Sequence, residues 1–160
     1  MSTTLESLAD DLASRFGAAI KSKTIDKKIV KIEVGKDEIA AVAGYLRDKM
    51  EWDHVKAVTA VDLSRATKKE DRIEVIYHLG TYTRSENWNQ DLAISCKVER
   101  AYPRMKSLVE VWPSCEYHER EVFEMFGVVF EGHPNLKRLL LPDYWSDMPP
   151  FLKDYQPAGR

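Results

Sequence analysis

Apolar and polar positions recur along the chain with two different periods, and the places where the period changes outline its elements. Leu5, Leu8, Leu12 and Phe16 stand at helical spacing. That predicts an amphipathic helix over 5–16, with Ser2, Thr3 and Thr4 available as N-caps. Val30, Ile32 and Val34 alternate with Lys31 and Glu33, as in a strand with one buried face. Gly35 breaks that strand, and Ile39, Val42, Ala43, Leu46 and Met50 restore the helical period over 36–50. Residues 55–63, rich in valine and alanine, read as a more deeply buried strand.

The clearest alternation lies further on. Ile73, Val75, Tyr77 and Leu79 form one set, and Leu92, Ile94, Cys96 and Val98 form another. The polar connection 80–91 holds Ser85, Asn87 and Asn89, so the pair reads as an antiparallel hairpin with a long loop. Trp88 in that loop is exposed unless the domain or a partner covers it. Ser107-Leu108-Val109-Glu110 fits a capping box and predicts a short helix. Trp112-Pro113 interrupts it and can start the next one, over 114–126, which Gly127 stops as a left-handed cap. Val128 to Phe130 is a short strand candidate.

This mixture predicts an α+β domain over 1–142, a mixed or antiparallel sheet of about four strands with helices packed on one face. The remaining segment, 143–160, carries Tyr144, Trp145, Met148, Phe151, Leu152 and Tyr155 among prolines. Prolines deny it a helix or a central strand of its own. It is expected to run extended and to dock on a partner, since Tyr and Trp anchor interfaces.

Composition narrows the function classes. With 44 % of 160 residues apolar and 31 % charged, the chain can bury one core, and a formal charge of −2 offers no global pull on nucleic acid. Lys21, Lys23, Lys27, Lys28 and Lys31 cluster, but Ile25, Asp26, Ile29 and Val30 interleave them and no aromatic platform accompanies them. The run reads as the solvated approach to a strand, with no nucleic-acid role. No stretch nears the ~20 apolar residues of a membrane span. The acidic, amphipathic start is unlike a secretory signal, and two unpaired cysteines fit a reducing compartment.

Chemistry is concentrated in the helix over 114–126, where Glu116, Glu119, Glu121 and Glu124 surround His118 and Arg120. Paired carboxylates suit general acid–base work. The spacing also suits structural ion pairs, Glu116 to Arg120 and Arg120 to Glu124, each four residues apart. Val122, Met125 and Phe126 make the apolar stripe, bordered by Tyr117. The spacing favours the ion pairs. Cys115, His118 and His133 offer three metal ligands but no fourth at zinc spacing. A small metal-dependent enzyme built on them is the alternative reading. No phosphate loop, dinucleotide fingerprint or nucleophile elbow occurs, and two cysteines are too few for an iron–sulfur cluster.

The run E-R-E-V-F-E-M-F-G-V-V-F-E-G-H-P-N-L-K-R-L-L-L, Glu119 to Leu141, closely resembles the signature of the 30 kDa subunit of respiratory complex I. Ser107 to Ser114 looks like the approach to that signature, and Leu152 to Tyr155 resembles the family's basic-acidic-aromatic ending. Glu119, Arg120, Glu121, Gly127, Gly132, His133, Pro134 and Arg138 occupy its pattern positions, as do Lys153 and Asp154 in the ending. One departure stands out. Many bacterial members carry glycine-histidine-proline after the leucine run, and here the chain reads D-Y-W-S-D-M-P-P-F instead.

The resemblance implies a cofactor-free, non-catalytic subunit of the peripheral arm, on the cytoplasmic face of the membrane. It implies contact with the hydrogenase-related large subunit, of the 49 kDa type, near the quinone-type acceptor site. Iron–sulfur clusters are then expected in the neighbouring subunits. The signature residues would shape the subunit and its contacts. The departure leaves the donor open among NADH, reduced deazaflavin coenzyme, ferredoxin and hydrogen, and the acceptor between a quinone and methanophenazine.

Overall fold

The computed structural model describes residues 5–26, 29–64 and 71–157. The N-cap candidates Ser2, Thr3 and Thr4, and Lys27 and Lys28 of the basic run, lie outside them. Helix α1 spans Leu5–Phe16 and α2 spans Ile39–Met50, close to the periods read from the sequence. Leu8, Ala9 and Leu12 of α1 and Ile39, Val42, Ala43 and Leu46 of α2 are buried, the facing stripes of two amphipathic helices. Glu51 closes α2 in the left-handed region, and Trp52 turns beneath it, fully buried.

The sheet has five strands in the order β1-β2-β5-β4-β3, one more than expected. The added strand is β1, Ile20–Asp26, in the lysine-rich segment read as a mere approach. It pairs antiparallel with β2, Ile29–Val34. Its residues from Lys21 on are exposed, so no buried face leaves an apolar alternation for a sequence reading to find. β4, Arg72–Gly80, and β5, Asp91–Glu99, form the expected antiparallel hairpin, and β2 runs parallel to β5. β3, His54–Asp62, corrects the expectation of a deeply buried strand. It is an edge strand on which Val55, Val58 and Asp62 are buried while Lys56, Thr59 and Val61 face solvent. Its valines and alanines divide between both faces, and such a composition is shared by a central strand.

The inner face of the sheet and the helices enclose one core, with Tyr77, Trp52, Trp112 and Phe130 among its largest side chains. The outer face carries Ala93 and Ser95 on β5, both buried. Lys31 of β2 reaches past this small-residue trough to Glu74 of β4 at 2.8 Å, and Lys97 stands 3.6 Å from Glu33. Nearby Lys56 lies over Gly80, where a Cβ would meet the lysine Cε at 2.8 Å, and reaches Asp91 at 2.5 Å.

Past β5 the chain makes β6, Arg104–Lys106, which pairs in parallel with β7, Val129–Glu131. Between them stand a turn at 107–112, a 3-10 turn at Pro113–Cys115 and helix α3, Glu116–Phe126. The short helix expected at 107–110 is absent. The Ser107 hydroxyl accepts the Val109 amide as a cap would, but the segment stops after a single turn closed by the Trp112 amide on the Leu108 carbonyl. The Trp112 indole N–H is bonded to the Trp52 carbonyl at 2.8 Å, and Pro113 follows at once. Gly127 ends α3 with φ 78°, the left-handed cap that its sequence position predicts.

Candidate functional site

Glu119, in the first turn of α3, is fully buried, and both of its oxygens accept hydrogen bonds. The Tyr77 hydroxyl of β4 and the Leu108 amide each donate to Oε1 at 2.8 Å, and the Ser107 hydroxyl donates to Oε2 at 2.6 Å. The Cys115 thiol sits 3.5 Å from Oε1. One carboxylate thus ties the helix to the sheet and to the turn that precedes it. Burial, then the nearby Glu119, pushes the Tyr77 phenol and the Cys115 thiol well above their ordinary ranges. The raised values favour their protonated forms, so both serve as donors to the carboxylate that clasps helix, strand and turn together.

Arg120 and Glu124, four residues apart, do not pair with each other, nor does Arg120 pair with Glu116. This corrects the expected ion pairs. Arg120 instead donates to the carbonyls of Lys137 and Arg138, both at 2.9 Å. Glu124 accepts the amides of Leu139, Leu140 and Leu141 at 3.2, 2.8 and 2.7 Å. The cation therefore holds two successive carbonyls of a loop and the anion the next three amides. The physical reason is that residues 137–141 have no helix or strand of their own, so their backbone groups take side-chain partners. Arg138 extends the chain of contacts, donating to the Trp145 carbonyl at 2.6 Å.

The C-terminal segment 143–157 returns to the domain along part of its length. The Phe151 amide donates to the Met125 carbonyl, and the Phe151 ring meets Phe126 edge-on. The Lys153 amide donates to Asp62 at the end of β3, and Arg100 bridges Asp62 and Asp154 at 3.1 and 2.7 Å. Burial alone would raise the Asp62 carboxyl. The amides of Lys153 and Ser64 and the Arg100 guanidinium outweigh that effect and hold it at about 2.

Two of the three candidate metal ligands, Cys115 and His133, take other partners in this fold. His133 faces the Glu116 carbonyl through Nε2 and accepts the Asn135 amide at Nδ1, while Cys115 turns to Glu119. Among the described residues no group of three or more His, Cys, Asp or Glu side chains is placed to hold a metal ion. Gly132, at φ 85°, supplies the left-handed turn before His133, and Pro134 follows on the exposed surface.

The sequence model of the family described as "Respiratory-chain NADH dehydrogenase, 30 Kd subunit" matches residues 32–160. The chain belongs to this family. Among curated members of the 30 kDa subunit family, a subunit of the F(420)H(2) dehydrogenase of Methanosarcina mazei is 31% identical over 150 residues, 93% of this chain and 90% of that protein. A subunit of the NADH-quinone oxidoreductase of Aromatoleum aromaticum is 34% identical over 164 residues, 99% of this chain and 80% of that protein. Two solved structures share the fold. A trypsin-resistant fragment of Nqo5 superposes with a TM-score of 0.67 at 20% identity, covering 82% of this chain and 98% of the fragment. A chain of the membrane-bound sulfane sulfur reductase, an archaeal respiratory membrane complex, gives 0.76 at 21% identity, covering 94% and 85%. The relatives are subunits of multisubunit oxidoreductases, and the membership expected from the signature holds.

Within this family member, most of the residues resembling the signature and the ending fall into four groups. Glu119, Arg120, Arg138 and Asp154 bind other parts of the same chain through their side chains. Lys153 does so through its backbone amide. Gly127 and Gly132 set backbone turns, and Glu121 stands exposed on α3. Sequence reasoning missed Tyr77, Asp62 and Arg100 as partners. The available signal was an aspartate and a tyrosine on strand faces otherwise filled by Val, Ile, Leu and Ala.

Proposed function

We propose that the chain is a non-catalytic, cofactor-free structural subunit in the peripheral arm of a complex I-like membrane oxidoreductase. In this reading it packs against the hydrogenase-related large subunit near the quinone-type acceptor site, on the cytoplasmic face of the membrane. Iron–sulfur clusters in neighbouring subunits carry electrons from NADH or a reduced deazaflavin coenzyme to a quinone or methanophenazine, coupled to ion translocation. No helix among the described residues is long and apolar enough to cross a membrane, which suits a peripheral place.

The observation that carries the reading is what the clamp on residues 137–141 leaves outside. Leu140 is 60% exposed, Tyr144 84% and Phe151 58%, on a loop and tail whose backbone is held down at several points. Large apolar side chains displayed on an anchored backbone suit a preformed protein interface. Purification through a tag on this chain, from gently solubilised membranes, tests it. A large complex with hydrogenase-related and membrane subunits is expected, and deletion of 143–160 should reduce its recovery. Recovery of the intact chain as a free monomer overturns the reading.

A further inference from the structure

Glu119 and Glu124 are occupied inside the domain, but Glu121 is exposed and forms no hydrogen bond or ion pair among the described residues. It rims a cleft of about 220 Å³ between α3 and β3, walled by Val58, Ala60, Val122, Met125, Phe126 and Phe151. The β3 side of this cleft is the open edge of the sheet.

The phase of the β3–β4 ladder decides which backbone groups that edge offers. The Leu63 amide donates to the Arg72 carbonyl, and Asp62 is paired with Ile73. Asp62 is therefore in a non-hydrogen-bonded pair, and so are Ala60, opposite Val75, and Val58, opposite Tyr77. The N–H and C=O of Val58 and Ala60 point away from β4, beside the cleft, and bond to no other backbone group among the described residues. Both ends of the edge are closed. Ser114 accepts the Val55 amide at 3.1 Å, and the Lys153 amide and Arg100 cover Asp62. A short window remains between them.

We propose that this window takes an extended segment of a neighbouring subunit, which adds to the sheet beside β3. Its backbone pairs with Val58 and Ala60. One bulky apolar side chain enters the cleft, and a basic residue two positions away, on the same side of the added strand, pairs with Glu121. The inference rests on the subunit role proposed for this chain. A peptide fits better than a small molecule, because the window offers amide and carbonyl groups at the two-residue spacing of a strand. The unpaired carboxylate at the rim selects a cationic neighbour.

The test uses the full chain, expressed in its host in place of the native copy, as wild type, Ala60→Pro and Glu121→Lys. Ala60→Pro removes an N–H that faces outward and leaves the ladder bonds to β4 in place. Recovery of the complex should fall about tenfold or more for Ala60→Pro and several-fold for Glu121→Lys, while the purified Glu121→Lys chain melts as wild type does. In wild type, hydrogen exchange at the Val58 and Ala60 amides should slow about tenfold or more on passing from free chain to complex. Should Ala60→Pro fail to fold, Glu121→Lys and the exchange measurement still decide. Unchanged exchange at both amides within an intact complex overturns this inference alone, as does a free chain that dimerises through this edge. A wild-type chain that enters no complex overturns the subunit role along with it.

Discussion

On the outer face of the sheet, Lys31 reaches Glu74, Lys97 approaches Glu33 and Lys56 reaches Asp91, each charge answered by an opposite one. On α3, charges of the same kinds pass one another by. Glu119 takes two hydroxyls and an amide, Glu124 three amides, Arg120 two carbonyls. The first region keeps most of its charged groups partly in water, where an ion pair contributes ~1 kcal/mol or less. The second directs charge onto backbone groups and buried hydroxyls, where losing one partner strands several others. Charged residues on helix and strand therefore have consequences set by what they bind.

The sharpest way to break this contrast is Glu119→Ala. It leaves the Tyr77 hydroxyl and the Leu108 amide buried without an acceptor, so chemical denaturation should show a loss of about 3–5 kcal/mol. Glu119→Gln, which keeps one acceptor oxygen, should lose less. Glu124→Ala comes next, at about 2–3 kcal/mol, because three amides lose one acceptor but lie nearer to water. Exchange at Leu139 to Leu141 should speed up while the sheet amides stay protected. A loss confined to the sheet would contradict the clamp.

Asp62 sharpens the contrast through pH. Its carboxyl is held at about 2 in the fold, against ~3.9 for a free side chain. The sign follows from a depressed value. The stabilisation is complete above about pH 5 and is lost as pH falls through 4 toward 2, amounting to about 2 kcal/mol. Acid titration of stability for wild type against Asp62→Asn should show this difference, and parallel curves would refute it. The smallest effect is expected on the outer face. A double-mutant cycle of Lys56→Ala and Asp91→Ala should give a coupling of ~1 kcal/mol or less that shrinks with added salt.

The elements that bury one face were legible in the sequence, because burial imposes a period. α1, α2, β2 and the β4–β5 hairpin all show it. β1 was not legible, since a strand exposed on both faces has no period to read. The site was legible in part. The spacing of Arg120 and Glu124 identified a pair on one helix face, but spacing along a helix does not show what approaches from outside it. Residues 137–141 arrive from beyond the helix, and only the folded chain shows that they, and not the opposite charge four residues away, take both side chains. The capping-box pattern at Ser107 likewise predicts a helix that does not form: its hydroxyl accepts only the Val109 amide, and Trp112 and Pro113 fix the chain after one turn.

The grip of Arg120 and Glu124 on residues 137–141 holds backbone and asks almost nothing of the side chains there. Any residue with an amide hydrogen can occupy positions 139 to 141 and still follow the same course, and proline is the one that cannot. The path of this loop and the surface it displays are thus separable traits. Substitutions can restyle what the loop shows to its surroundings, while two residues one helical turn apart keep it in place.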